Sequence, residues 1–338
     1  MTLSTQKENP PRQRRLIWGL IMAVIVLILS FSVCLTVGTT NISLEAIWQA
    51  LVAFDGSTEH WIVRSIRLPV AMMAVLVGGG LAVAGAIMQG ITGNSIASPS
   101  LLGINAGAAF ALVTGIAIAG DIPSSIETAL ALIGAAMGAI AVYTLASLSA
   151  GGLTSLNLVL AGAALTAFFS ALTTASLLLN RRAFDEIRFW LIGSISGRNG
   201  EALFSVLPVF AVGFLLAFVL GRQITTLSLG ENIAQGLGQQ TAWVKAWAAI
   251  AVVLLAGSSV AIAGPIGFVG LIVPHFARAW VGTDYRWILP YSALFGAILL
   301  LGAEILAVSL FTSEAFPVGL ILPIFGAPFF WYLLSKNS

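Results

Sequence analysis

At 338 residues, 59% of them hydrophobic and only 8% charged, the chain has too little polar surface to cover a water-soluble globule. The net charge of +2 says nothing about nucleic acid, no basic block lies beyond the N-terminus, and one cysteine with two histidines makes neither an intrachain disulfide nor a metal cluster. The composition is that of an integral membrane protein, and apolar runs of about 20 residues make its spans helices rather than barrel strands.

Residues 1–15, MTLSTQKENPPRQRR, form a polar tail ending in Arg12, Arg14 and Arg15. The run that follows, Leu16 to Val37, is longer than a signal-peptide core and lacks a small-residue cleavage site. It is expected to be the first span, with the arginines holding the tail in the cytoplasm. Cys34, in this run, is expected to be a small apolar packer.

Further apolar runs fall near 68–88, 101–119, 127–147, 156–178, 202–221, 243–263, 266–282, 288–310 and 318–335. The expectation is therefore an all-α protein of about ten transmembrane helices in one domain, 16–338, with both termini cytoplasmic. Under that topology nine Lys/Arg lie inside: Lys7, Arg12, Arg14, Arg15, Arg222, Lys245, Arg278, Arg286 and Lys336. Six lie outside: Arg64, Arg67, Arg181, Arg182, Arg188 and Arg198. Orientation thus rests mainly on the first span, and the arginine-rich loop 180–200 is either a solvated connector or a functional surface.

Small residues are dense within the spans. GGGLAVAGAIMQG (78–90) sets Gly78, Ala82, Gly85 and Gly90 at helical spacing, and GAAMGAIA (134–141) and AGAALTAFFSALTTAS (161–176) repeat the pattern. Lipid gives helices no hydrophobic reason to associate, so small faces that allow close backbone approach predict a compact bundle. The polar stretch 222–242, RQITTLSLGENIAQGLGQQTA, predicts two short helices broken at Gly230 and Gly236–Gly238.

The three lysines follow Gln6, Val244 and Ser335, so none belongs to a G-x-x-x-x-G-K-[ST] nucleotide loop. No H-E-x-x-H occurs, and Glu304 is the one acidic residue well inside a predicted span. No catalytic set is expected, and His275 is expected to serve a structural or gating role.

Several stretches together resemble one family. GPIGFVGLIVPHFAR (264–278), RLPV with GGGLAVAGAIMQGITGNSIASPSLLGINAGA (67–108), LVLAGAAL (158–165), WLIGSIS (190–196), LSLGENIAQGLG (227–238) and PVGLILPIFGAPFFWYLL (317–334) resemble, in order, the FecCD permeases. These are permease subunits of ABC importers for iron–siderophore complexes, haem and cobalamin. The resemblance implies a ten-span bundle working in pairs around one path, with two ATPase subunits inside and a substrate-binding protein outside. ATP and Mg would sit on the ATPase subunits, with no cofactor or metal on this chain.

Residue by residue, the resemblance implies that Leu229, Gly230, Glu231, Ala234, Leu237 and Gly238 seat in the ATPase. It places Asn94 and Ile96, with Thr154 and Ser155, at a cytoplasmic gate. It turns Arg67 outward to dock the binding protein, with Arg64 as a substitute contact. Three departures appear: Val70 replaces an arginine, Glu304 and Ala307 replace an aspartate and an arginine, and Ala315-Phe316-Pro317 follows a misplaced Glu314. Two missing docking arginines favour a heterodimer with a non-identical permease. An ion-coupled carrier using Glu304 and His275 is the alternative. Ferric siderophore is the expected cargo, with haem or cobalamin as alternatives.

Within 264–278, Gly264-Pro265 should end the seventh span. Gly267 and Gly270 should both allow close helix contact, and Pro274 should weaken the next helix. His275 should bond the carbonyls so freed, and Arg278 should snorkel to the inner interface.

Overall fold

The computed structural model describes residues 12–38, 42–150, 152, 154–197, 200–310 and 316–336. Lys7, Arg198, Glu314 and Ala315 lie outside the described residues, as do the side chains of Arg12, Arg182, Ser155 and Lys336.

Fifteen helices make up the described chain: α1 Arg12–Thr36, α2 Leu44–Val52, α3 Thr58–Ile62, α4 Leu68–Thr92, α5 Ile104–Ala119, α6 Ser124–Leu148, α7 Ser155–Leu179, α8 Arg181–Ile192, α9 Gly200–Val219, α10 Gly221–Leu227, α11 Glu231–Gly236, α12 Thr241–Ala263, α13 Val269–Val281, α14 Tyr285–Leu310 and α15 Val318–Lys336. Seven helical stretches are long and apolar enough to cross a membrane, and three shorter apolar helices lie over 104–119, 269–281 and 318–328. Together they occupy the ten predicted runs.

The connector 38–67 holds structure that hydropathy alone did not predict. Ser43 caps α2, accepting from Ala46 N at 3.2 Å, and Ser57 caps α3, accepting from His60 N at 3.4 Å. Each satisfies an orphan donor of the first helical turn. A π-helical turn, Val63–Arg67, then runs α3 into α4.

α4 is the central post, buried along most of its length and packed against α9, α12, α13 and α14. Its predicted small face is what lets it occupy that place. A Cβ on Gly78 would lie 2.8 Å from the Gly296 carbonyl carbon, and one on Gly90 would meet Ile224 and Tyr285 side chains at 2.6 and 2.8 Å. α5 and α6 pack in the same way, Gly107 against Gly134 and Gly138. The third small-residue run behaves differently. Ala161 and Gly162 of α7 are buried, but Ala163, Ala167, Ser170, Ala171 and Thr174 face outward. Cys34 is buried among apolar side chains, as expected.

Tyr291 Oη donates to Leu16 O at 2.6 Å, and Gly221 backs onto Arg286. The starts of α1 and α14 and the segment 222–242 therefore share one end of the bundle, called the coupling end below.

Candidate functional site

Segment 222–242 folds as the two expected short helices, α10 and α11. Gly230 and Gly238 adopt φ of 120° and 81°, which a side chain would oppose. Gly236 is still helical, so the second break is at Gly238 rather than across 236–238. Leu229 and Leu237 are exposed, and so is Ile233 midway between them, forming an apolar ridge at four-residue spacing. Sequence reading passed over Ile233, although that spacing was the signal for it. Ala234 is fully buried with Leu227 and Val244, so it holds α11 to the bundle. Glu231 turns back to the bundle, accepting from Lys245 Nζ at 2.8 Å and Thr241 Oγ1 at 3.1 Å. The Lys245 hydrogen bond holds the Glu231 carboxyl below its ordinary range. This strut is therefore complete at neutral pH and lost as pH falls through that lowered value.

A second link joins α10 to α14. Thr225 Oγ1 accepts from Tyr285 N at 2.9 Å and lies 3.3 Å from Asp284 Oδ1. Asp284 also pairs with Arg286 at 2.8 Å, and that contact lowers the Asp284 carboxyl below its usual range.

The stretch 264–278 corrects several expectations. Gly264 ends α12 at φ 70°, and a Cβ there would collide with the Trp190 carbonyl. Gly267 is exposed with open space around it, so only Gly270 makes the expected close contact, against Gly85 of α4. α13 runs unbroken through Pro274. A proline at 274 has no N–H to offer Gly270 O, four residues back. Buried Gln89 takes that role: its Nε2 donates to Gly270 O at 3.3 Å and Leu271 O at 3.2 Å. His275 makes no hydrogen bond among the described residues, because α4 supplies the donor expected of it. Arg278 does not reach for the interface either; its Nη2 donates to Gln89 Oε1. Gln89 thus fastens α4 to both ends of α13. A lone glutamine in a glycine-rich span was the sequence signal for it.

At the opposite end, both arginines expected to dock a binding protein instead hold helix ends. Arg67 is buried at 8% exposure, and its Nη1 donates to Leu35 O at 2.7 Å and Thr36 O at 2.8 Å, capping α1. It does not face outward, because unsatisfied carbonyls at the end of α1 draw the guanidinium inward. Arg64 is exposed but donates to Ala50 O at 2.6 Å and Leu51 O at 3.0 Å, capping α2, and lies over the Phe54 ring. We expect Arg67→Ala to destabilise the chain by about 2 kcal/mol, since hydrogen bonds to charged groups contribute about 1.5–3 kcal/mol. A thermal-shift midpoint in detergent checks this, and an unchanged midpoint refutes the capping role.

Loop 180–200 is no bare connector. α8 buries Ile187 and Trp190, and the turn after it joins three spans. Ser194 N donates to Ala263 O at 2.8 Å, Gly319 N to Gly193 O at 2.9 Å, and Ser196 Oγ to Glu304 Oε1 at 2.6 Å. Glu304 is buried, and its Oε2 has no partner among the described residues.

The expected gate residues lie on two separate turns. Asn94 Oδ1 accepts from Ile96 N at 3.0 Å, shaping the turn after α4, and Ile96 is exposed. Thr154 caps α7, accepting from Asn157 N at 3.1 Å, and Ser155 is the first residue of that helix. No hydrogen bond joins the two turns among the described residues. α7 itself is the telling element. Only 17% of its most apolar window is buried; its middle exposes the small Ala163, Ala167, Ser170, Ala171 and Thr174 with Phe168 beside them, and Leu156, Leu160, Leu178 and Leu179 are exposed towards its ends. α1, with 11% buried, instead exposes Ile17, Trp18, Ile21, Met22, Ile25 and Leu29, which suit lipid.

These features define a multi-pass helical membrane protein with an exposed apolar ridge at one end and one long, largely unburied helix. The FecCD transport family model matches residues 24–336, and the chain belongs to that family. It is 44% identical over 326 residues to the probable siderophore transport system permease protein YfiZ of Bacillus subtilis (strain 168), covering 94% of this chain and 96% of that one. The Fe(3+)-citrate import system permease protein YfmD of the same organism is 40% identical, with 94% of each chain covered. A solved inward-facing metal-chelate type ABC transporter matches with a TM-score of 0.83 at 28% identity, covering 94% of this chain and 98% of that one.

Proposed function

We propose that the chain is the membrane-spanning permease subunit of an ABC importer for ferric siderophores in a bacterial cytoplasmic membrane. The observation that carries the reading is the outward stripe Ala163–Ala167–Ser170–Thr174 on α7. Large apolar side chains would seal against lipid, whereas this stripe suits a second permease across a path that must release its cargo. The family's named ferric-chelate permeases supply the substrate class. Haem and cobalamin are the competing cargoes.

Energy comes from two ATPase subunits that bind ATP and Mg and receive the ridge Leu229–Ile233–Leu237 together with the turns at Gly230 and Gly238. Asn94, Ile96, Thr154 and Ser155 gate the path at this inner end. A binding protein delivers the chelate at the other end. Because Arg67 is committed to α1, its docking contacts fall to other groups, Arg64 and a non-identical partner permease among them. Uptake runs on ATP rather than on an ion gradient through His275 and Glu304, a reading supported by the family match and the likeness to a solved ABC transporter.

The test is uptake of a ferric siderophore into vesicles holding this permease, its partner permease and the ATPase. Uptake that needs ATP and survives collapse of ion gradients supports the proposal. Uptake driven by a gradient without the ATPase, or full activity without a second kind of permease, overturns the corresponding part.

A further inference from the structure

α13 and α14 leave a groove between them on the outside of the bundle, about 390 Å³ in volume and lined by Ile272, Phe276, Trp280, Phe295, Ile298 and Leu299. Its lining is apolar, and the Phe276 and Trp280 side chains stand out into the surroundings at 48% and 70% exposure. Along α13 the groove runs from Ile272 to Trp280. Eight residues at 1.5 Å each give about 12 Å, most of the roughly 15 Å depth of one leaflet's hydrocarbon. The groove therefore has the reach of one acyl chain lying along the helices.

Its mouth lies at the coupling end, and the mouth is not apolar. A Cβ on Gly19 of α1 would lie 3.3 Å from Trp280 Nε1, so α1 crosses beside the groove's end. Tyr291, bonded to Leu16 O, stacks edge-on against Phe295 of the groove wall at 5.5 Å and fixes that placement. One helical turn before Gly19, on the same face of α1, is Arg15, with Arg14 beside it. Both are exposed, and neither forms an ion pair among the described residues. Of the other charges nearby, Asp284 pairs with Arg286, while Arg278 is hydrogen-bonded to the neutral Gln89 amide and keeps its positive charge, which adds to the field at this end. Two exposed arginines and an indole N–H thus stand where the headgroup of a lipid in the groove would lie.

We propose that this groove is a specific site for one anionic phospholipid of the coupling-end leaflet. One acyl chain fills the space between α13 and α14, the phosphate meets Arg15 and Arg14, and Trp280 anchors the ester region. An aromatic at this depth has a polar tip suited to the interface. The site ties α1 to the α13–α14 pair, which are otherwise joined there through Tyr291 and Leu16. This inference does not depend on which chelate is carried.

The experiment is native mass spectrometry of the purified transporter complex after exchange into equal phosphatidylglycerol and phosphatidylcholine. The expected result is one retained phosphatidylglycerol per copy of this chain, preferred about tenfold or more, as two arginines near a lipid surface imply. Arg14→Gln with Arg15→Gln should remove the preference, and Ile298→Trp, which fills the groove, should remove the retained lipid altogether. Equal retention of both lipids, or retention of phosphatidylglycerol unchanged in both variants, overturns the site. The arginine variant is at an exposed helix end, so its reading does not depend on tolerance of the groove-filling change.

Discussion

Gly85→Ala is expected to leave almost no folded permease in the membrane fraction. A Cβ at that position would lie 2.5 Å from both the carbonyl carbon and the Cα of Gly270. The obstacle is backbone, which cannot rotate aside as a side chain can. Overpacking that side chains can absorb costs about 1–3 kcal/mol, and here relief requires α4 and α13 to separate, so the cost lies above that range. Separation also removes the Gln89 bonds to Gly270 O and Leu271 O, one turn further along α4. The carbonyl that Pro274 leaves without a helical donor would then be orphaned in an apolar interior, adding a further penalty. Gly270→Ala should fail for the same reason, its Cβ meeting Leu81 O at 2.7 Å. Gly267→Ala is the matched control, since nothing lies within 4 Å of a Cβ there. Yield and monodispersity in size-exclusion chromatography measure all three. Wild-type yield from Gly85→Ala would refute the close contact between these helices.

The contrast between these three glycines shows where sequence reasoning reaches its limit. The ten apolar runs were legible because each must hide its backbone polar groups inside a helix, and hydropathy records that demand directly. Gly78, Gly85 and Gly90 were legible as a packing face because helical spacing alone aligns them. Gly267 was not distinguishable from Gly270, because which glycine meets a neighbour depends on where α13 begins, and that is set by Phe268 at φ 67°. Arg67 and Arg278 failed for a related reason. Charge and position relative to an interface predict an outward or snorkelling arginine, but a three-dimensional neighbour with free acceptors overrides that: the end of α1 for one, Gln89 for the other. The coupling segment was legible as two helices from its glycines. Its fastenings were not, since Thr225 and Asp284 are 59 positions apart.

Those fastenings carry the second large effect. Thr225→Val is expected to cut uptake by about tenfold while leaving yield and ATPase binding intact. Valine keeps the volume and removes the hydroxyl, so Tyr285 N–H loses its acceptor and Asp284 loses a neighbour at 3.3 Å. An unsatisfied donor at this partly buried contact costs about 1–3 kcal/mol, and 1.4 kcal/mol is tenfold. The ridge Leu229–Ile233–Leu237, which on the proposed function receives an ATPase, is untouched, so docking is expected to survive. On that reading the loss falls on the link between α10 and α14, and α14 packs along the central α4. Asp284→Ala should reduce uptake further, because Asp284 Oδ1 also accepts from Arg286 N at 3.0 Å and so caps the start of α14. Thr225→Ser, which restores the hydroxyl, should recover uptake. Acid provides an independent check on the same contact. Arg286 holds the Asp284 carboxyl below its ordinary range, so the charged link is complete at neutral pH and disappears only as pH falls through that lowered value. Transport per ATP hydrolysed is the quantity to measure, since a mere loss of stability would lower both together. An unchanged ratio in Thr225→Val would mean that motion passes from the coupling segment by another route, through Glu231 and Lys245 into α12.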